Sequence, residues 1–138
     1  MRRLWLGLLA LAVCAALAGC QRPQESADGG ARLLLDGEAV AGGSIAPGGD
    51  ARVYVTLDGQ ALIDLPFGEA HTLIVRQPDG AENAVVLTGE AVYMQSANCD
   101  GQDCVQMGEV TLHNLEARVL GGFIVCLPHR LSVEVRGS

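Results

Sequence analysis

The chain contains no lysine and only five aromatic residues in 138. Over residues 20–138, seven arginines face sixteen Asp and Glu, a net charge of −9. A surface of that sign repels phosphate backbones, so nucleic acid is excluded as a partner, and no basic patch is available for anionic lipid headgroups. The one tryptophan, Trp5, lies in the N-terminal apolar run. The remainder therefore lacks the stacking platforms of single-strand and sugar binders. That run, Leu4 to Leu17, is itself too short for a comfortable membrane span. Catalytic signatures are missing as well. There is no nucleophile elbow and no local Ser-His-Asp context, and the pairs Gly42-Gly43 and Gly48-Gly49 open no helix that would cradle a phosphate. The expectation is a non-enzymatic chain without a cofactor.

The first nineteen residues have the organisation of an export signal. Arg2-Arg3 supply a positive start, Leu4 to Leu17 an apolar stretch, and Leu17-Ala18-Gly19-Cys20 a match to the bacterial lipobox. Small residues before the scissile bond suit the signal peptidase, and the Cys20 thiol is placed to carry a diacylglycerol thioether. Several acyl chains, at ~0.8 kcal/mol per buried CH₂, make such an anchor effectively permanent. The expected location is extracytoplasmic, held to the membrane by lipidated Cys20. The expected partners are that membrane and an envelope protein complex.

Residues 20–30 carry no apolar periodicity and read as a flexible tether, with a root-mean-square reach of roughly 17 Å for ten residues. From Ala31 to Ser138 the pattern has period two. Val53, Val55 and Leu57 alternate with Arg52, Tyr54 and Thr56, and Asp58-Gly59 follows as a hairpin turn. Thr72 to Arg76 ends at the turn Pro78-Asp79-Gly80, and Val85–Leu87 and Ala91–Met94 flank Thr88-Gly89-Glu90. Phe123 to Leu127 and Leu131 to Arg136 complete the set. Eighteen glycines argue against long helices. One helical turn is expected at Asp103 to Met107, stopped by Gly108. The domain at 31–138 is thus expected to be an all-β barrel or sandwich of about seven to nine short strands, with Val53, Val55, Leu57, Leu73, Val75, Val133 and Val135 inward.

Three cysteines remain after Cys14 and Cys20 are set aside: Cys99, Cys104 and Cys126. An oxidising compartment makes a structural disulfide the default. Cys99–Cys104 closes the smallest loop and is the favoured pair, with Cys126 as the alternative partner and otherwise a buried thiol. A metal site is the sharper alternative, because Cys99, Cys104, Cys126 and His129 form C-x4-C…C-x2-H, but they lack the paired knuckles of a zinc module. A reactive thiol is the third reading, opposed by Asp100 and Asp103 beside Cys104. His71 and His113 read as incidental surface or edge residues.

The same residues carry a resemblance. Cys99, Asp103, Cys104-Val105, Gly108 and Ile124-Val125-Cys126-Leu127-Pro128-His129 are similar to the pattern C-P-D-x-x-C-V-x-x-G followed by I-V-C-L-P-[NH] of NusG domain II-like proteins. The match spans about Ala51 to Val135. It departs in having Asp100 in place of Pro and a longer connection, Glu109 to Gly121. The resemblance implies a small all-β domain like the one inserted in some transcription elongation factors. It does not imply transcription, since the polymerase-contacting domain is missing and the charge is wrong for nucleic acid. Two function classes stay open. One is a binding module of the envelope for a protein or small ligand. The other is a redox or metal-carrying accessory of a membrane electron-transfer system, built on the cysteine cluster.

Overall fold

A computed structural model describes residues 30–137. The expected signal peptide, Cys20 and nearly all of the tether lie outside these residues. Asp58 and Gly59 both take positive φ, 52° and 77°, as a two-residue hairpin matched to strand twist requires. They join β4 (Arg52–Leu57) to β5 (Gln60–Pro66). On its other side β4 pairs with β10 (Leu131–Arg136), which pairs in turn with β9 (Phe123–Cys126); a two-residue strand, β3 (Gly43–Ser44), lies along β5. The second sheet has the order β2-β1-β6-β7-β8. Its strands are β1 (Arg32–Leu35), β2 (Glu38–Val40), β6 (Ala70–Arg76), β7 (Glu82–Thr88) and β8 (Val92–Ala97). Two five-stranded sheets packed face to face make a small β-sandwich. The single helical turn, α1 (Asp103–Gln106), follows β8. No helix among the described residues is long and apolar enough to cross a membrane.

All seven residues expected to point inward are buried, and none exceeds 6% exposure. From one sheet Val53, Val55, Leu65, Val133 and Ile124 enter the core, and from the other Leu33, Leu73, Val75, Val85 and Met94. Burying each such side chain is worth about 1.5–3 kcal/mol. Period two fails at two bulges. Between Val55 and Thr56 the register to β5 shifts, so the consecutive residues Leu62 and Ile63 are both buried. Between Ala84 and Val85 the register to β8 shifts likewise, and Asn83, Ala84 and Val85 are buried in succession.

The connection from α1 to β9 runs without a strand. Val92 and Val110 exchange backbone hydrogen bonds of 2.9 and 2.7 Å, which ties the connection to β8. Arg118 organises the remainder: its guanidinium donates to the carbonyls of Met107, Glu109, Gly121 and Phe123 at 2.8–3.3 Å. Carbonyls that no strand pairs thereby gain donors.

A three-thiol cluster and apolar cleft

The C-terminal end of β8, α1 and the β9–β10 turn meet at one end of the sandwich. Gln102 makes the first of these approaches. It adopts φ 55° immediately before α1, and its side-chain amide donates to the carbonyls of Ala97 and Cys99, the latter at 2.7 Å. That folds the loop back so that Cys99 and Cys104 face each other. Met107 ends the helical turn, and Gly108, at φ 70°, redirects the chain. Cys126 is the last residue of β9. Beyond it, the Arg130 N–H donates to the Leu127 carbonyl at 3.1 Å. Pro128 thus occupies the second position of a β-turn, where its fixed φ fits, and Leu127 is pushed out to 79% exposure.

The Sγ atoms of Cys99, Cys104 and Cys126 all lie within 4.8 Å of one another, and all three residues are buried. Cys99 and Cys104 are separated by 3.9 Å, Sγ to Sγ. The disulfide expected between them is not formed in this structure, where a bond would bring the sulfurs to roughly 2.05 Å. The Cys104 thiol is instead shared between Cys99 and Cys126. Burial, then hydrogen bonding to Cys126 and to Cys99, pushes it up to about 12. A thiol so far above its ordinary range is a poor nucleophile, which counts against a reactive cysteine here.

His129 does not join the sulfurs. Its ring is buried and its Nδ1 lies 2.7 Å from the Asn83 Oδ1, while its carbonyl accepts from the Gln77 side-chain amide at 2.9 Å. The four-ligand set read from C-x4-C…C-x2-H is therefore corrected to three thiols. The His129 ring fastens the β9–β10 turn to β7, where the fully buried Asn83 needs a partner. Asp103 opens α1, exposed, with its carboxylate toward Gly101. His71 is not incidental: it holds Asp36 at 2.8 Å and Glu69 at 3.3 Å on the opposite end of the sandwich. His113 is exposed in the connection before β9.

Beside the thiols lies a cleft of about 320 Å³. Cys104, Met107, Leu120, Cys126, Leu127 and Pro128 form most of its wall, with Gly101 and Asp103 on the polar side. Met107 is held in place because its Sδ accepts from the Val125 N–H at 3.3 Å. Leu120, at 45% exposure, and Leu127 stand on the rim. The first described residues are at this same end. A Cβ on Gly30 would touch the Pro78 ring at 3.3 Å, Asn98 donates to the Gly80 carbonyl at 2.9 Å, and Gln77 reaches the β9–β10 turn. Arg118 and Gln102, which shape the cleft, were not singled out from the sequence. Their side chains bond to loop carbonyls, a role that leaves no periodic trace.

Known structures share this architecture. A DUF1312 family protein from Enterococcus faecalis is 22% identical, with a TM-score of 0.54, covering 64% of this chain and 98% of its own. The Lin0431 protein from Listeria innocua is 20% identical, with a TM-score of 0.55, covering 65% of this chain and 99% of its own. Both are likenesses of fold. No curated protein matches the chain. The NusG domain II family model matches residues 8–138. With the sandwich in place, and the Cys99, Cys104 and Cys126 motif gathered at one end of it, the chain belongs to the NusG domain II family.

Proposed function

We propose that this protein is an extracytoplasmic lipoprotein, anchored by Cys20, whose β domain binds an apolar group of an envelope protein or small ligand without catalysing a reaction. The observation that carries the reading is the apolar cleft with Leu127 on its rim at 79% exposure. A concave, mostly apolar site with a few polar groups at its edge is the usual form of a ligand or anchor-residue pocket. An apolar side chain held that far out gains free energy when a partner covers it. Anchoring favours the same reading. The chain enters the domain beside Pro78, at the end where the cleft opens. A tether of ten residues, with a reach of roughly 17 Å, then keeps the cleft close to the lipid surface. A Cys104 thiol pushed up to about 12 and a histidine committed to Asn83 make poor bases and nucleophiles beside the cleft.

The anchor is tested by Cys20→Ala, which should move the protein from the membrane to the soluble fraction or leave it unprocessed. Unchanged fractionation and mobility would defeat it. The binding role is tested on the full chain with the apolar fluorophore N-phenyl-1-naphthylamine. Leu127→Asp should abolish a saturable fluorescence increase. A photoreactive residue at position 127, but not one at position 79, should crosslink a discrete envelope partner or ligand in cells. Equal fluorescence in both proteins, with no adduct specific to position 127, would overturn the cleft as the binding site.

A further inference from the structure

The three thiols converge more closely than the apolar cleft requires. Any pair of them would suffice for a disulfide staple, yet all three sulfurs point into one space within 4.8 Å. We propose that Cys99, Cys104 and Cys126 form a three-coordinate site for a soft monovalent ion, Cu(I). This inference is independent of what the cleft binds.

Geometry and donor chemistry both argue for it. Metal–thiolate bonds of roughly 2.3 Å place the sulfurs of a planar three-coordinate site about 4.0 Å apart. Cys99 and Cys104 already stand 3.9 Å apart, Sγ to Sγ, and Cys126 needs to close by less than about 1 Å, within the reach of a small χ1 adjustment. The ligand set selects the ion. Hard cations require oxygen donors, and the group holds none. Structural zinc sites are four-coordinate and iron–sulfur clusters take four cysteines. No fourth Cys, His or carboxylate joins the group among the described residues, and the one histidine nearby in sequence is bonded to Asn83. Thiolates without a nitrogen or oxygen companion suit Cu(I). The surroundings are soft and dry as well, with Met107, Val125 and Leu127 about the site and the cleft as its opening.

Proton balance is part of the proposal. Each sulfur that bonds the ion gives up its S–H proton to solvent, so binding strengthens as pH rises. The cation takes over the place between the sulfurs that the shared Cys104 proton occupies in the thiol form, and no electron is transferred. A Cys99–Cys104 disulfide is the competing state: it removes two ligands, so oxidation and ion binding exclude each other.

The test uses full-length protein in detergent, reduced under anaerobic conditions, and titrates Cu(I) held by a coloured chelator. The intact protein should withdraw one equivalent. Cys99→Ser, Cys104→Ser and Cys126→Ser should each weaken binding beyond the roughly 100-fold at which outer-shell losses end. Because Cys104→Ser sits in the core and can unfold, a second measurement uses unaltered protein. One Cu(I) should shield all three thiols from maleimide in mild denaturant, and chelator should restore their labelling. No withdrawal of Cu(I), full binding in Cys126→Ser, or tighter retention of zinc than of Cu(I) would each overturn the assignment. So would a Cys99–Cys104 disulfide that persists when the protein is purified without oxidant.

Discussion

The two ends of this sandwich solve the closure of a small β domain in opposite ways. At one end a buried charge does it. Arg52, 8% exposed, sends its Nε to the Asp64 carboxylate at 2.7 Å and its remaining donors to the carbonyls of Ala46, Gly48, Ile45 and Asp64 and to the Ser44 hydroxyl. One guanidinium thus pairs the carbonyls of Ile45, Ala46 and Gly48 in the irregular stretch that follows β3. At the other end sulfur replaces charge: three cysteines, a methionine and two exposed leucines line an open cleft. A charged clamp is rigid because a lost partner leaves a buried ion unsatisfied. Thiols and leucines make no such demand, so their end can remain open, as the proposed binding role requires.

The comparison breaks most sharply at Arg52. Arg52→Ala should cost about 3–5 kcal/mol, because Asp64 and several loop carbonyls lose their donors together. A urea midpoint shifted by the equivalent of less than ~1 kcal/mol would remove the distinction between the ends. At the thiol end the largest stability effect should come from the buried Asn83–His129 pair behind the turn. Asn83→Ala leaves the buried His129 Nδ1 without its 2.7 Å partner, and should cost about 1–3 kcal/mol by the same measurement.

The pH dependence of the charged end is smaller and has a definite sign. Burial lowers the His71 imidazolium, but hydrogen bonds and attraction from Asp36 and Glu69 outweigh it, so its pKa lies above the ordinary 6.5. The hydrogen bond from His71, then that from the Thr72 N–H, holds Asp36 below its ordinary 3.8. The His71 contribution is complete below 6.5 and is lost as pH rises through its folded value. The Asp36 contribution is present above 3.8 and is lost as pH falls through its own. Both carboxylates are solvent-exposed, so screening holds the pair to under ~1 kcal/mol. The melting-temperature gap between the protein and His71→Asn should be widest between those two values and shrink on either side. A gap that grows with rising pH would contradict the ion pair. The smallest effect sharpens the contrast: Leu127→Ser should leave stability within about ±0.5 kcal/mol, because its side chain is already in water. A loss of more than ~1 kcal/mol would mean that the rim supports the fold, against the proposed binding role.

Sequence alone determined the all-β class, several strands and the inward face. Val53, Val55 and Leu57 in β4 and Leu131, Val133 and Val135 in β10 alternate without interruption, and Asp58-Gly59 is a turn whose chemistry is local. The helical turn at Asp103, the stop at Gly108 and the burial of Cys126 were legible for the same reason: each depends on neighbours a few residues away. Only the tertiary structure decided the rest. β5 escaped because a bulge buries Leu62 beside Ile63 and spoils period two, and β1 to β3 are too short for a period to show. Three cysteines in sequence are compatible with a bond, a metal or neither, and their meeting depends on how β8, α1 and β9 pack. His129 lies three residues from Cys126, yet it turns to Asn83, forty-six residues away in sequence. Arg52 reads as a polar residue facing outward on β4 and becomes the clamp of one end only when residues 44–48 fold over it. Backbone periodicity records which face of a strand is dry, whereas a side chain's partner across the fold is set by topology, which no local pattern encodes.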